Sequence, residues 1–181
     1  CRAAGMAVDV KDKAGYTPLG AACETNAADV VAVLLKAGAG VSVAQPGGRT
    51  PLMLAAAGGS GGLVRLLLEH GADPKQLDPK GWHPLGIAVW NGRKEAAEVL
   101  VAQASGAELD ESLMLAALRG DVALTDLLLR RGASVMARDG EGRTALMPAA
   151  RDGHGEAARI LLDNGANRSP LHPPTPPTAA P

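Results

Sequence analysis

The sequence predicts an all-α fold, a solenoid of helix-turn-helix units joined by short β-turn fingers. Three observations carry this. A helix-start marker recurs at Thr17, Thr50, His83, Glu111 and Thr144, with spacings of 33, 33, 28 and 33 residues. Nine residues after each marker stands Asn26, Gly59, Gly92, Gly120 or Gly153, residue types that tolerate positive φ and stop a helix. Apolar residues make up 46% of the 181-residue chain, yet Phe is absent and aromatics are 2%. That composition suits thin Leu, Val and Ala helices buried against neighbouring units, not one round core.

Residues 47–73 show the plan of a unit most fully. Thr50 is a good N-cap, and Pro51 fits the first helical position, where its missing N–H costs nothing. Leu52, Ala55 and Ala56 give a short apolar face that Gly59 ends. Leu63, Val64, Leu66, Leu67 and Leu68 make a second helix, and Gly71 supplies the left-handed residue after it. By the same register, residues 1–11 read as the end of a truncated preceding unit. Five units follow at approximately 12–44, 45–77, 78–107, 108–137 and 138–167, then a Pro-rich disordered tail or linker at 168–181.

The first unit has Leu19, Ala21 and Ala22 on one helix and Val30, Val31, Val33, Leu34 and Leu35 on the next. Cys23 takes the place of Ala56, Val89, Ala117 and Ala150, so it reads as a small core residue, not a reactive thiol. In the second unit Gly61 and Gly62 fall in the first turn of the second helix, where each is expected to cost up to about 1 kcal/mol against Ala. No strand precedes Gly58–Gly62 and no Gly-Lys follows, which argues against a phosphate loop. Between the third and fourth units, 104–110 is five residues short of a finger. The fourth unit is therefore expected to enter its first helix directly, capped by Asp110 or Ser112, and to leave a gap in the finger row. Thr125 stands where siblings are apolar and can bond a carbonyl one turn back. Pro148 lies four residues after Thr144, where it should loosen or kink the helix start.

The stretches Gly15-Tyr-Thr-Pro-Leu19, Gly48-Arg-Thr-Pro-Leu52, Gly81-Trp-His-Pro-Leu85 and Gly142-Arg-Thr-Ala-Leu146, with ends such as Gly71-Ala-Asp73, resemble ankyrin repeats. The resemblance implies a binding scaffold in which fingers and first helices line a concave groove. Its variable places are the finger tips and the exposed ends of the first helices. On this chain they give the candidate partner-binding residues Lys11, Lys13, Tyr16, Arg49, Lys80, Trp82, Trp90, Asn91, Arg119, Arg138, Arg143 and Arg151. Every Tyr and Trp of the chain is among them, and such side chains dominate interface hot spots. Eight cations here face only Glu24, Glu141 and Asp152, a balance of +5 that falls to +2 with Asp12, Asp78 and Asp139, while the whole chain is −1. The expected partner is a protein segment of acidic and apolar character. One departure stands out: the His that follows Thr-Pro-Leu in the family is replaced by Gly20, Met53, Gly86, Met114 and Met147. Lower stability or looser coupling between repeats than in a consensus stack is the expected consequence.

Other function classes find little support. His70, His83, His154 and His172 sit at unrelated offsets, with no His-Glu-x-x-His or Cys-x-x-Cys spacing and no nucleophile elbow. No enzymatic activity, metal or cofactor is expected. The positive charge is interleaved with acids, so no nucleic acid is expected either. No apolar run reaches the roughly 18 residues of a membrane span. Two cysteines make no disulfide framework, which points to a cytoplasmic or nuclear protein. The module is expected to be monomeric. The rival readings are a targeting domain of a larger enzyme or effector, and a structural cytoplasmic stack in a membrane-linked assembly.

Overall fold

The computed structural model describes residues 8–166. The readings of residues 1–7 as part of an earlier repeat, and of the Pro-rich stretch as a tail or linker, lie outside the described residues. Each Thr-Pro or equivalent start opens a short helix, and each glycine-led turn sends the chain back through a second one. The first helices are α1 (Pro18–Glu24), α3 (Pro51–Gly58), α5 (Pro84–Trp90), α7 (Gly106–Arg119) and α9 (Leu146–Arg151). Their partners are α2 (Ala28–Lys36), α4 (Gly61–Glu69), α6 (Lys94–Leu100), α8 (Val122–Arg130) and α10 (Gly155–Leu161). No strand occurs among the described residues.

The caps are local chemistry. The side chains of Thr17, Thr50 and His83 accept from the N–H groups of Gly20, Met53 and Gly86 at 3.1, 3.3 and 3.0 Å. Each therefore satisfies an amide that the helix start leaves unpaired. At the far end of α1, Asn26 turns the chain at φ 56°, the one non-glycine with positive φ among the described residues.

Odd-numbered helices pack on one another in one row and even-numbered helices in a second, with the core between the rows. Ala22, Ala55, Ala88, Ala116 and Ala149 share one register and are all buried, which lets the helices approach closely. Leu19, Leu52, Leu85 and Leu113 fill the layer beside them, and Leu67, Leu100, Leu128 and Leu161 close it from the second row. Cys23 is fully buried, and burial pushes its thiol pKa up to about 12. Thr125 is buried too, and its hydroxyl donates to the Asp121 carbonyl at 2.7 Å, one turn back as expected.

Two expectations are corrected. The cap of α7 is neither Asp110 nor Ser112. The helix begins at Gly106, and the Ser105 N–H donates to Glu108 Oε2 at 2.5 Å in a Ser-x-x-Glu capping arrangement. Asp110 instead accepts from the Ser134 N–H of the next connection at 2.6 Å, and the Ser112 hydroxyl is buried without a partner. The missing finger is thus replaced by extra turns of helix. The Gly61-Gly62 pair is not uniformly a soft spot either. Gly62 is exposed, but Gly61 is buried against α6, and a Cβ there would stand 2.9 Å from the Glu95 carbonyl oxygen.

In place of the family His, other residues make polar contacts between repeats. Gln45 replaces the finger aspartate of its siblings and reaches back to the first repeat, where its Oε1 accepts from the Thr17 N–H at 2.9 Å. Arg93 Nε donates to the Ala57 carbonyl at 3.0 Å, and His154 Nε2 meets the Leu118 carbonyl at 3.0 Å, the same register one helix pair apart. His83 Nε2 lies 3.5 Å from Glu111 Oε2. Every junction between successive repeats therefore carries at least one polar tie.

Pro148 acts as expected. In the sibling helices the amides of Ala21, Leu54 and Ile87 donate to the carbonyls of Thr17, Thr50 and His83. Proline has no such N–H, so α9 starts one residue later, through a tighter bond from Met147 N–H to the Thr144 carbonyl at 3.0 Å.

Candidate functional site

The fingers are built by one device used three times. Asp12 Oδ1 accepts from the N–H groups of Ala14 and Tyr16, Asp78 Oδ1 from Lys80 and Trp82, and Asp139 Oδ1 from Glu141 and Arg143, all at 2.8–2.9 Å. The carboxylates fold their own turns and so fix where Tyr16, Trp82 and Arg143 emerge.

From the third finger onward these side chains converge with the first helices. Trp82 of the finger and Trp90 at the end of α5 meet edge to face, with ring centroids 5.8 Å apart. The Arg119 guanidinium, from the end of α7, lies over the Trp90 ring at 5.7 Å. Trp90 remains 42% exposed, a large apolar surface open to a partner. Beside this cluster the absent fourth finger leaves a notch of about 410 Å³ between the third and fifth fingers. Its apolar lining is Trp82, Met114, Leu115, Leu118 and Pro148, with Gly86 and His83 on the floor. Lys80, Arg143, Arg151, Glu111 and Asp139 supply its charges.

The notch brings together Lys80, Trp82, Arg143 and Arg151 of the sequence-derived candidates, with Trp90 and Arg119 adjoining. Arg138 borders a neighbouring depression with Asp110, Glu111 and Asp139, and its Nη1 donates to the Gly142 carbonyl at 2.7 Å. The other candidates lie apart. Lys11 Nζ donates to the Ala44 carbonyl at 3.0 Å and so ties the first finger to the second. Lys13 is exposed and Tyr16 half-buried in that first finger. Arg49 stands 3.8 Å from Asp78 of the next finger. Asn91 caps α5, with its side-chain amide donating to the Ile87 carbonyl at 2.7 Å. Sequence reasoning did not place Met114, Leu115 and Gly86 in the site, because their share in the notch depends on a finger that is not there.

Electrostatically the site is more balanced than a residue count implies. Arg143 pairs with Asp139 at 2.8 Å and Glu141 at 2.9 Å, and Arg151 pairs with Asp152 at 2.8 Å. Hydrogen bonds from the Arg143 backbone and side chain hold the Asp139 carboxyl below its usual range, and the Arg151 guanidinium does the same for Asp152. The extended start of α7 adds Glu111 to the surface. Burial holds the His83 imidazole below its ordinary pKa of 6.5, against the opposing pull of Glu108 and Glu111. The ring is therefore neutral, with Nδ1 accepting from Gly86 and Nε2–H directed to Glu111.

Among the described residues no group of His, Cys, Asp and Glu could hold a metal ion, and no helix is long and apolar enough to cross a membrane. A family model described as "Ankyrin repeats (3 copies)" matches residues 37–112 and 113–173, and one described as "Ankyrin repeat" matches residues 14–45. No curated protein matches the chain significantly.

Proposed function

The chain belongs to the ankyrin-repeat family, and we propose that it acts by holding an acidic and apolar segment of a protein partner on its concave face of fingers and first helices. Ankyrin repeats generally serve as protein–protein interaction modules; the face and the chemistry of the partner are the proposal. In this reading five units, approximately 12–44, 45–77, 78–107, 108–137 and 138–167, form a monomeric scaffold in the cytoplasm or nucleus. The observation that supports it best is the convergence of Trp82, Trp90 and Arg119 beside an apolar notch on that face. Aromatic and arginine side chains supply large contact area at small entropic cost, and the hydrogen-bonded fingers hold them in place before a partner arrives.

Most arginines of the face are already paired with their own acids, so charge serves to orient the partner and apolar burial supplies the affinity. Affinity capture from the source cells tests this, with the wild-type chain compared with Tyr16→Ala/Trp82→Ala/Trp90→Ala after circular dichroism has shown equal helicity. The expected result is a protein held by the wild type and lost by the variant. A protein held equally by both would place the binding surface on the second-helix side.

A further inference from the structure

We propose that the notch between the third and fifth fingers is a selective pocket for one large apolar side chain of the partner, carried in a segment with acidic residues on either side. This rests on the reading of the concave face given above and adds what that face selects. Two absences create the notch. The fourth repeat has no finger, and α5 carries Gly86 where α3, α7 and α9 carry Met53, Met114 and Met147. Position 86 therefore contributes no side chain to the notch, which Trp82 and Pro148 also line. A volume of about 410 Å³ takes a side chain, not a helix.

The charges around the notch choose its occupant. A carboxylate placed inside would meet Glu111, whose side chain is 68% exposed there beside a neutral His83. A cation placed inside would find only Glu111 free to pair with it, because Arg143 already engages Asp139, and would stand near the Arg143 and Arg151 guanidiniums. An uncharged apolar group meets neither penalty and removes the surface of Trp82, Met114, Leu115 and Leu118 from water. At the edge of the notch the preference reverses. Lys80, an exposed lining residue on the third finger, and Arg119, beyond the lining at the end of α7, form no ion pair among the described residues. Acidic residues flanking the apolar anchor find their counter-charges at these two ends.

The test is a selection of random short peptides displayed on phage against the full chain. Enriched peptides are then measured by fluorescence anisotropy on the wild type, on Gly86→Met and on Tyr16→Ala/Arg49→Ala. Gly86→Met installs the sibling residue and fills the floor. A Cβ at that position meets nothing closer than 3.4 Å, and an unchanged thermal melt verifies that the rest of the Met side chain is accepted. The expected peptides carry Leu, Met, Phe or Trp between acidic residues, and Gly86→Met weakens them by about tenfold or more. Tyr16→Ala/Arg49→Ala, on the same face but outside the notch, changes them much less. Peptides that require a charged residue in place of the apolar one would overturn the proposal, as would a library that yields no binder. Peptides indifferent to Gly86→Met but lost by Tyr16→Ala/Arg49→Ala would overturn the notch and leave the concave-face reading standing. Indifference to both variants would sink the two together.

Discussion

Replacing Gly61 and Gly62 separately by Ala should move stability in opposite directions, although the two residues are adjacent in one helix turn. Gly62 is exposed, and a Cβ there would find its nearest neighbour at Ser60 Oγ, 4.0 Å away. Alanine at that site lowers the entropy of the unfolded chain and raises helix propensity, a gain of about 0.5–1 kcal/mol. Gly61 has the same propensity to gain, but its Cβ would stand 2.9 Å from the Glu95 carbonyl oxygen and 3.3 Å from the carbonyl carbon. These are backbone atoms at the start of α6 and cannot rotate away. Overpacking of this kind costs about 1–3 kcal/mol, which against a propensity gain of about 0.5–1 kcal/mol leaves a net loss of up to about 2.5 kcal/mol. Urea denaturation followed by helical ellipticity reads both. The midpoint should rise for Gly62→Ala and fall for Gly61→Ala. Because α4 and α6 belong to successive repeats, the loss falls on the junction between them, and the Gly61→Ala transition should also become less cooperative. A Gly61→Ala chain as stable as the wild type would refute the close approach of the two helices.

Two further predictions concern buried polar groups. The His83 pKa is held below 6.5 in the fold, so the unfolded chain binds the proton more readily, and stability should decline as pH falls through 6.5 toward the folded value. Protonation at Nδ1 also removes the acceptor for the Gly86 amide; His83→Thr, which restores the sibling cap, should flatten that part of the urea-midpoint profile, and an unchanged slope would exclude His83 as its source. Ser112 buries a hydroxyl with no partner, so Ser112→Ala should stabilise the chain by about 1 kcal/mol in the same denaturation assay, whereas a loss would show that the hydroxyl is satisfied.

The legible part of this fold was the part written in nearest neighbours along the chain. Thr50-Pro51 caps a helix whatever surrounds it, and Pro148 removes an amide bond whatever packs on it, so both could be read from the sequence. The Ser105-x-x-Glu108 box was equally visible, but the Glu111 register places the cap five or seven residues too late, at Asp110 or Ser112. Gly61 could not be read this way. Its propensity cost is local, whereas its benefit depends on the backbone of a helix in the next repeat. Gln45 is similar: as a replaced finger aspartate it reads as a defect, and only the absence of a side chain at Gly20 gives it room to reach Thr17.

The same distinction explains the candidate site. Counting cations along the finger tips gave a basic face, but a count assigns full charge to residues whose partners lie one to four positions away. Arg143 with Asp139 and Glu141, and Arg151 with Asp152, are such cases. Lys11, Lys13, Lys80, Arg119 and Arg138 are left without an ion pair among the described residues, so the face discriminates by where charge is neutralised as well as where it is present. The notch has the same origin. Deleting five residues from a connection removes a finger in one place and leaves Met114 and Leu115 lining a notch in another. In a repeat stack a residue's environment is set mainly by the adjacent units. Specificity can therefore arise from a shortened loop and a missing side chain at Gly86, with no distinctive residue at the site itself.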